Sequence, residues 1–233
     1  MKRTAEQRPK RPAKKENESI KKSFPTLRKK LLLWFDSNKR DYPWRKTGNW
    51  YHLLMAEMML RRTRADQVLP VYNAFVKNFK TPEAASALKE NELETLLKPL
   101  GLKWRARQLH KTIEYIKDNY AKRSPTQNEN LRDIPGVGEY AESMLQNRLF
   151  DKKVATVDSN FARIICRWQG IKYSPEMRRN KEIRNLANQF VNSKQSQDLN
   201  LAMIDFSALV CKPIKPLCES CPLQNWCAKN LYP

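Results

Sequence analysis

No stretch of this 233-residue chain approaches the roughly 18–20 consecutive apolar residues that a membrane-spanning helix needs. The early basic residues Lys2, Arg3 and Arg8 are followed by no apolar run, so no secretory signal is expected. These absences predict a soluble, intracellular protein. Strand-like alternation is almost missing, and no segment repeats with a solenoid period. Acidic residues are in short supply: 24 Asp and Glu face 45 Lys and Arg, for a formal net charge of +21. Residues 1–24 hold nine of the basic side chains and three of the acidic ones, so the remainder is basic in its own right. Such an excess repels itself in a compact state and points to a polyanionic partner, nucleic acid first. Cysteine is sparse as well, with four of the five residues falling in the last 23 positions. A disulfide scaffold would spread them through a small secreted chain, so this clustering reads as metal ligands.

What remains is a folded, helical chain, 40% hydrophobic. Residues 1–22 read as a flexible basic tail, either a solubility extension or a DNA-contacting arm. Beyond them, apolar residues recur at helical spacing in Phe24–Asn38, Tyr51–Thr63 and Gln67–Phe79, with Pro70 placed in a first turn. Pro82–Leu88, Glu90–Leu97, Trp104–Asn119, Glu139–Leu149, Ser159–Trp168, Arg178–Val191 and Gln197–Cys211 continue the pattern, with Gly101 and Pro125 as punctuation. An all-α protein of about ten helices is expected.

Three segments carry chemistry. The cysteines are spaced Cys211-x6-Cys218-x2-Cys221-x5-Cys227, and four thiolates suit zinc or an iron–sulfur cluster. Cys166, within Ile164-Ile165-Cys166, reads as a core residue. The segment Leu131-Arg-Asp-Ile-Pro-Gly-Val-Gly138 joins two helices through a tight turn. Gly136 and Gly138 permit close approach, and the amides at the start of the next helix form an anion site that a DNA phosphate fits. Asp158 follows the β-favouring run Val154-Ala-Thr-Val157. It suits either a helix N-cap or a carboxylate that stabilises positive charge on a sugar.

At these residues the chain resembles the helix-hairpin-helix DNA glycosylases of the endonuclease III superfamily. Ile134-Pro-Gly-Val-Gly138 is similar to their hairpin, Val157-Asp-Ser-Asn-Phe-Ala-Arg163 to the segment with their catalytic aspartate, and the cysteine spacing to their [4Fe–4S] loop. Within the superfamily the likeness is strongest to archaeal thymine-DNA mismatch glycosylases of the Mig type. It lies in Arg40-Asp-Tyr-Pro-Trp-Arg45, Ala56-Glu-Met-Met-Leu-Arg-Arg-Thr63 and Asp205-Phe-Ser-Ala-Leu-Val-Cys211. Adenine glycosylases of the MutY group are also near, but they show Gln-Gln where this chain has Arg61-Arg62.

The resemblance implies two helical lobes with the DNA cleft between them. One comprises residues 23–43 with 156–233 and carries a [4Fe–4S] cluster on Cys211, Cys218, Cys221 and Cys227. The other comprises residues 44–155, with the helix-hairpin-helix at 128–149. It implies excision of thymine or uracil paired with guanine from double-stranded DNA by a monomer, cytoplasmic, nucleoid-associated and archaeal. Alternatives are a MutY-like adenine glycosylase and a non-catalytic, metal-stabilised DNA-binding module. Asp158 is expected to stabilise the oxocarbenium-like sugar. Tyr140 stands where strand-cutting relatives place the lysine that forms a Schiff base, and a phenol forms no imine, so the enzyme is expected to remove the base and stop. Glu57 is either half of an ordinary pair with Arg61 at i, i+4 or, by the resemblance, an acid in the base pocket. Gly136, Val137 and Gly138 are expected to grip DNA. Arg61 or Arg62 fills the gap left by the flipped nucleotide or reads the estranged guanine. Trp44 and Arg45 either shape the cleft or belong to the core. Lys212, Lys215 and Lys229 are expected to face the DNA backbone.

Overall fold

A computed structural model describes residues 14–101, 104–121 and 123–228, so most of the expected tail and Lys229 lie outside the described residues. Among the described residues there is no strand. The helices in chain order are α1 (Lys14–Asn38), α2 (Trp50–Met59), α3 (Ala65–Asn78), α4 (Pro82–Ser86), α5 (Glu90–Leu97), α6 (Trp104–Tyr120), α7 (Glu139–Phe150), α8 (Ser159–Trp168), α9 (Lys181–Val191) and α10 (Ser196–Leu209). They form two compact units, Met1–Arg40 with Asp151–Pro233, and Asp41–Phe150. Each unit has its own apolar core.

The breaks fall a few residues before those expected at 43/44 and 155/156, and side chains explain the first. Arg40 donates to buried Asp205 on α10 through its backbone N, at 3.0 Å, and its Nε, at 2.6 Å. Two residues on, Tyr42 donates its hydroxyl to Asp66 at 2.7 Å and stacks on Trp44, with ring centroids 4.7 Å apart. Trp44 is a core residue of the second unit, which decides between the two roles expected of it.

Helix α1 begins at Lys14, so residues 14–22 are helical rather than a flexible tail. The stripe Ile20, Phe24, Leu27, Leu31 and Phe35 is buried along one face, and Ile20 extends the apolar pattern beyond the expected start. Pro25 lies inside the helix on its exposed side, where water can satisfy the carbonyl that a proline leaves unpaired. Arg28 donates Nε to the Phe190 carbonyl, at 2.7 Å, and Nη2 to that of Gln189, at 2.6 Å. It thereby answers carbonyls in the last turn of α9, where the helix has no donors of its own.

Helix α2 is buried at every residue except His52, which makes it the central helix of the second unit. Asn49 caps it, accepting from the amides of Tyr51 and His52 at 2.9 and 3.2 Å. It stops at Met59 rather than running to Thr63, because Arg62 takes a left-handed φ of +54°. Helix α3 starts two residues before the expected position, so Pro70 falls in its interior rather than its first turn. Helix α9 starts at Lys181 behind an Asn180 cap, since Pro175–Arg179 form a 3-10 turn instead.

The β-favouring run ahead of Asp158 forms no strand because asparagine side chains take the place of a neighbouring strand. Ala155 N donates to Asn188 Oδ1 at 2.9 Å and Thr156 N to Asn200 Oδ1 at 2.9 Å, while Asn200 Nδ2 donates to the Val154 carbonyl at 2.9 Å. Replacing the buried Asn200 with alanine strands the Thr156 amide and the Val154 carbonyl, at about 1–3 kcal/mol for a buried unsatisfied group. A fall in Tm of about 2–12 °C is expected in thermal unfolding, and an unchanged Tm would show that the run is held by something else.

Candidate functional site

In the second unit the hairpin packs directly on α2. Gly136 adopts φ +87°, and a Cβ there would stand 2.7 Å from Met58 Cε and 2.9 Å from Gln108 Nε2. Only glycine meets both demands. The Val137 amide closes the turn on the Ile134 carbonyl at 2.9 Å, and its side chain is buried. Val137 therefore builds the hairpin, with its amide and side chain both turned inward. Gly138 is exposed, and its carbonyl receives the amide of Glu142 at 2.9 Å, so α7's own ladder begins there. Tyr140, half-buried, sits in the first turn of α7.

Glu57 lies on α2 and is only 6% exposed. Burial pushes its carboxyl up to about 7, against the opposing pull of Arg61 and Arg45. Arg61 is not a helical partner of Glu57, since α2 ends before it. Its guanidinium turns back and donates Nη2 to the Gly136 carbonyl. Arg62 is exposed instead. Arg105 fixes this turn from α6, donating Nη1 to the Met59 carbonyl at 3.2 Å, and Nη2 to the Arg61 carbonyl and, at 2.9 Å, to Thr63 Oγ1.

In the first unit Asp158 is half-buried and caps α8. Its Oδ1 accepts from the amides of Asn160 and Phe161 at 2.9 and 2.7 Å, and its Oδ2 from Asn160 Nδ2 at 2.7 Å. Asn160 in turn accepts from Arg163 Nη1 at 2.6 Å, and buried Arg163 donates Nη2 to the Ser207 and Cys211 carbonyls at 3.2 and 3.0 Å. Asp158 is thus held from the cysteine loop through two side chains.

Cys211, Cys218, Cys221 and Cys227 line one cavity with Trp168, Phe206 and Val210. Burial pushes the Cys221 thiol up to about 11, and its three cysteine neighbours push the same way. Four thiolates so placed need a cation between them. Among the described residues no three His, Cys, Asp or Glu side chains are grouped to hold a single ion. Four sulfurs lining one cavity form a soft donor set of the kind that holds an iron–sulfur cluster. Arg167 braces the rim, donating Nη1 to Cys211 Sγ at 3.2 Å and the Lys212 carbonyl at 2.7 Å, and Nη2 to the Pro213 carbonyl at 3.0 Å. Lys215 is exposed on this loop, and Cys166 is buried in the core of the unit.

Arg105, Asn160, Arg163 and Arg167 were not singled out in the sequence. The three arginines bond to carbonyls more than 40 positions away and Asn160 to Asp158 and Arg163 close by, and neither leaves a periodic trace. Arg167→Ala should loosen the loop while leaving all four thiols in place. Amide exchange over residues 211–217 is expected to quicken about tenfold, the equivalent of ~1.4 kcal/mol. Unchanged protection would show that Arg167 is not the brace.

Comparison with known proteins gives consistent results. The model of the HhH-GPD superfamily base excision DNA repair proteins matches residues 55–197, and that of the iron-sulfur binding domain of endonuclease III matches residues 211–227. A thymine/uracil-DNA glycosylase of Methanothermobacter thermautotrophicus is 35% identical over 85% of this chain and 90% of its own. An adenine DNA glycosylase of Rattus norvegicus is 30% identical over 86% of this chain, but the match spans only 41% of that longer protein. The solved structure of a thermostable thymine-DNA glycosylase superposes with a TM-score of 0.81 at 32% identity, covering 91% of this chain and 99% of that one. The cofactor is a [4Fe–4S] cluster. The chain is a DNA glycosylase and belongs to the HhH-GPD superfamily of base excision DNA repair proteins.

Proposed function

We propose that this enzyme acts as a monomer on mismatched double-stranded DNA, hydrolysing the N-glycosidic bond of thymine or uracil paired with guanine without cutting the strand. The likeness to thymine/uracil-DNA and thymine-DNA glycosylases supports the choice of base. Amides at the start of α7, beside the exposed Gly138, suit a backbone phosphate, and the net charge of +21 supplies the general attraction. The target nucleotide must leave the stack, and a mispaired one opens at lower cost. Arg62 is the residue to fill the vacated gap or to read the estranged guanine, because Arg61 is committed to the hairpin carbonyl.

The observation that carries the chemistry is a pair of carboxyl groups in unlike surroundings. Asp158 accepts three N–H hydrogen bonds, whereas Glu57 is buried and raised toward neutrality. In the proposed step the bond between C1′ and the base nitrogen breaks, and its electron pair leaves with the base. The Glu57 carboxylic acid supplies the proton that neutralises the base. The Asp158 carboxylate stabilises the positive sugar until water adds at C1′, and the water's surplus proton returns to a carboxylate. Tyr140 offers no amine for a Schiff base. Cys211, Cys218, Cys221 and Cys227 would hold the cluster, whose iron–sulfur bonds when bound tie the C-terminal loop together.

Asp158→Asn is expected to slow single-turnover base release by roughly 10²–10³-fold with DNA affinity kept, and retained turnover would refute the assignment. Glu57 serves as an acid only while protonated, so base release should decline as pH rises through about 7. In Glu57→Gln that decline should vanish and the rate should drop by about 10²-fold; a rate equal to wild type would remove Glu57 from the mechanism. Borohydride should trap no covalent adduct on abasic DNA, whereas efficient trapping would restore an amine nucleophile.

A further inference from the structure

We propose that Thr112 on α6 is a positioning residue for the DNA grip, because its hydroxyl fixes the side of the hairpin from which the Gly136 N–H points. The inference rests on the reading of the hairpin as the part that meets a DNA phosphate. Residues 134–137 make a β-turn, closed by the Val137 amide on the Ile134 carbonyl at 2.9 Å. Pro135 holds its second position and Gly136, at φ +87°, its third, which is the pattern of a type II turn. Type I would need a negative φ at Gly136. The two types differ in their central peptide, here Pro135–Gly136, which is turned over between them. The choice of type therefore decides which side of the hairpin receives the Pro135 carbonyl and which the Gly136 N–H.

Thr112 makes that choice from below. It is fully buried, and its Oγ1 donates to the Pro135 carbonyl at 2.7 Å. The same oxygen lies 2.8 Å from the Gln108 carbonyl one turn back, but the helix ladder already supplies that carbonyl with an amide. The hydroxyl proton is needed at Pro135. The next carbonyl of the turn, that of Gly136, receives Arg61 Nη2. In a trans peptide the N–H points opposite to the C=O, and no peptide among the described residues is cis. With the Pro135 carbonyl drawn towards α6, the Gly136 N–H faces away from it, at a half-buried position. Among the described residues neither the Gly136 nor the Gly138 amide has a partner. Two such donors, two residues apart at the head of α7, suit the oxygens of one phosphate.

The test uses the cluster-loaded protein with carbon-13 in the proline carbonyls and nitrogen-15 in the glycine amides, and a short fully paired duplex as the probe. The sequence holds five glycines and a single Pro–Gly step, so Gly136 gives the one glycine signal coupled to a labelled carbonyl. Thr112→Val keeps the shape of the side chain and removes the hydroxyl. It should weaken duplex binding about tenfold, the loss expected for one hydrogen bond to a charged group. The movement of the Gly136 signal on adding duplex should shrink, while single-turnover base release at saturating G·T duplex stays as in wild type. Thr112→Ser, which restores the hydroxyl, should bring affinity and signal most of the way back. Should Thr112→Val fail to fold, Thr112→Cys offers a side chain of similar size with a much weaker donor, and weakened binding is again expected. A merely structural role would lower Tm and leave affinity and the Gly136 movement unchanged, and that outcome overturns the proposal. A Gly136 signal that stays still in the wild type would overturn the phosphate reading of the hairpin, and the positioning role with it. One that moves alike in wild type and Thr112→Val would overturn the positioning role alone.

Discussion

The close approach of Gly136 to α2 is the constraint on which the second unit's chemistry depends. A turn with φ +87° is set against Met58 and Gln108 with no room for a Cβ. The Gly136 carbonyl receives Arg61 Nη2, and Gly138 stands exposed at the head of α7. A side chain at position 136 would have to displace the ends of Met58 and Gln108 and hold a left-handed φ that L side chains rarely adopt.

The first unit solves a different problem. It must hold a carboxylate firmly at the end of a short extended run that has no sheet to support it. Asn188 and Asn200 supply the missing ladder bonds to residues 154–156, and the cap of α8 takes over at Asp158. From there Asn160 and Arg163 lead to the carbonyl of Cys211. The cysteine loop therefore reaches the aspartate through hydrogen bonds.

Much of this was legible in the sequence, and the reasons are physical. Helical periodicity is written in every apolar stripe, so helix α8 matches expectation residue for residue and the all-α class follows. Glycine pairs, caps and ligand spacings are local, so the hairpin turn, the Asp158 cap and the cysteine cluster were also readable. What was missed is non-local. Arg105, Arg163 and Arg167 reach carbonyls more than 40 positions away, and nothing near them in sequence signals the partner. The end of α2 was misjudged because the apolar pattern continues past Met59, while the φ of Arg62 is imposed by the Arg105 contacts. The choice between Arg61 and Arg62 was closed to sequence for the same reason: it depends on which side chain turns inward.

The account's central claim is that this enzyme releases a pyrimidine opposite guanine and leaves the strand intact. The most direct measurement compares single-turnover base release on G·T, G·U and A·8-oxoguanine duplexes, each read with and without alkali. Release from G·T and G·U, with strand scission only after alkali, is the predicted result. Adenine release from the third duplex in preference to these, or scission without alkali, would contradict it.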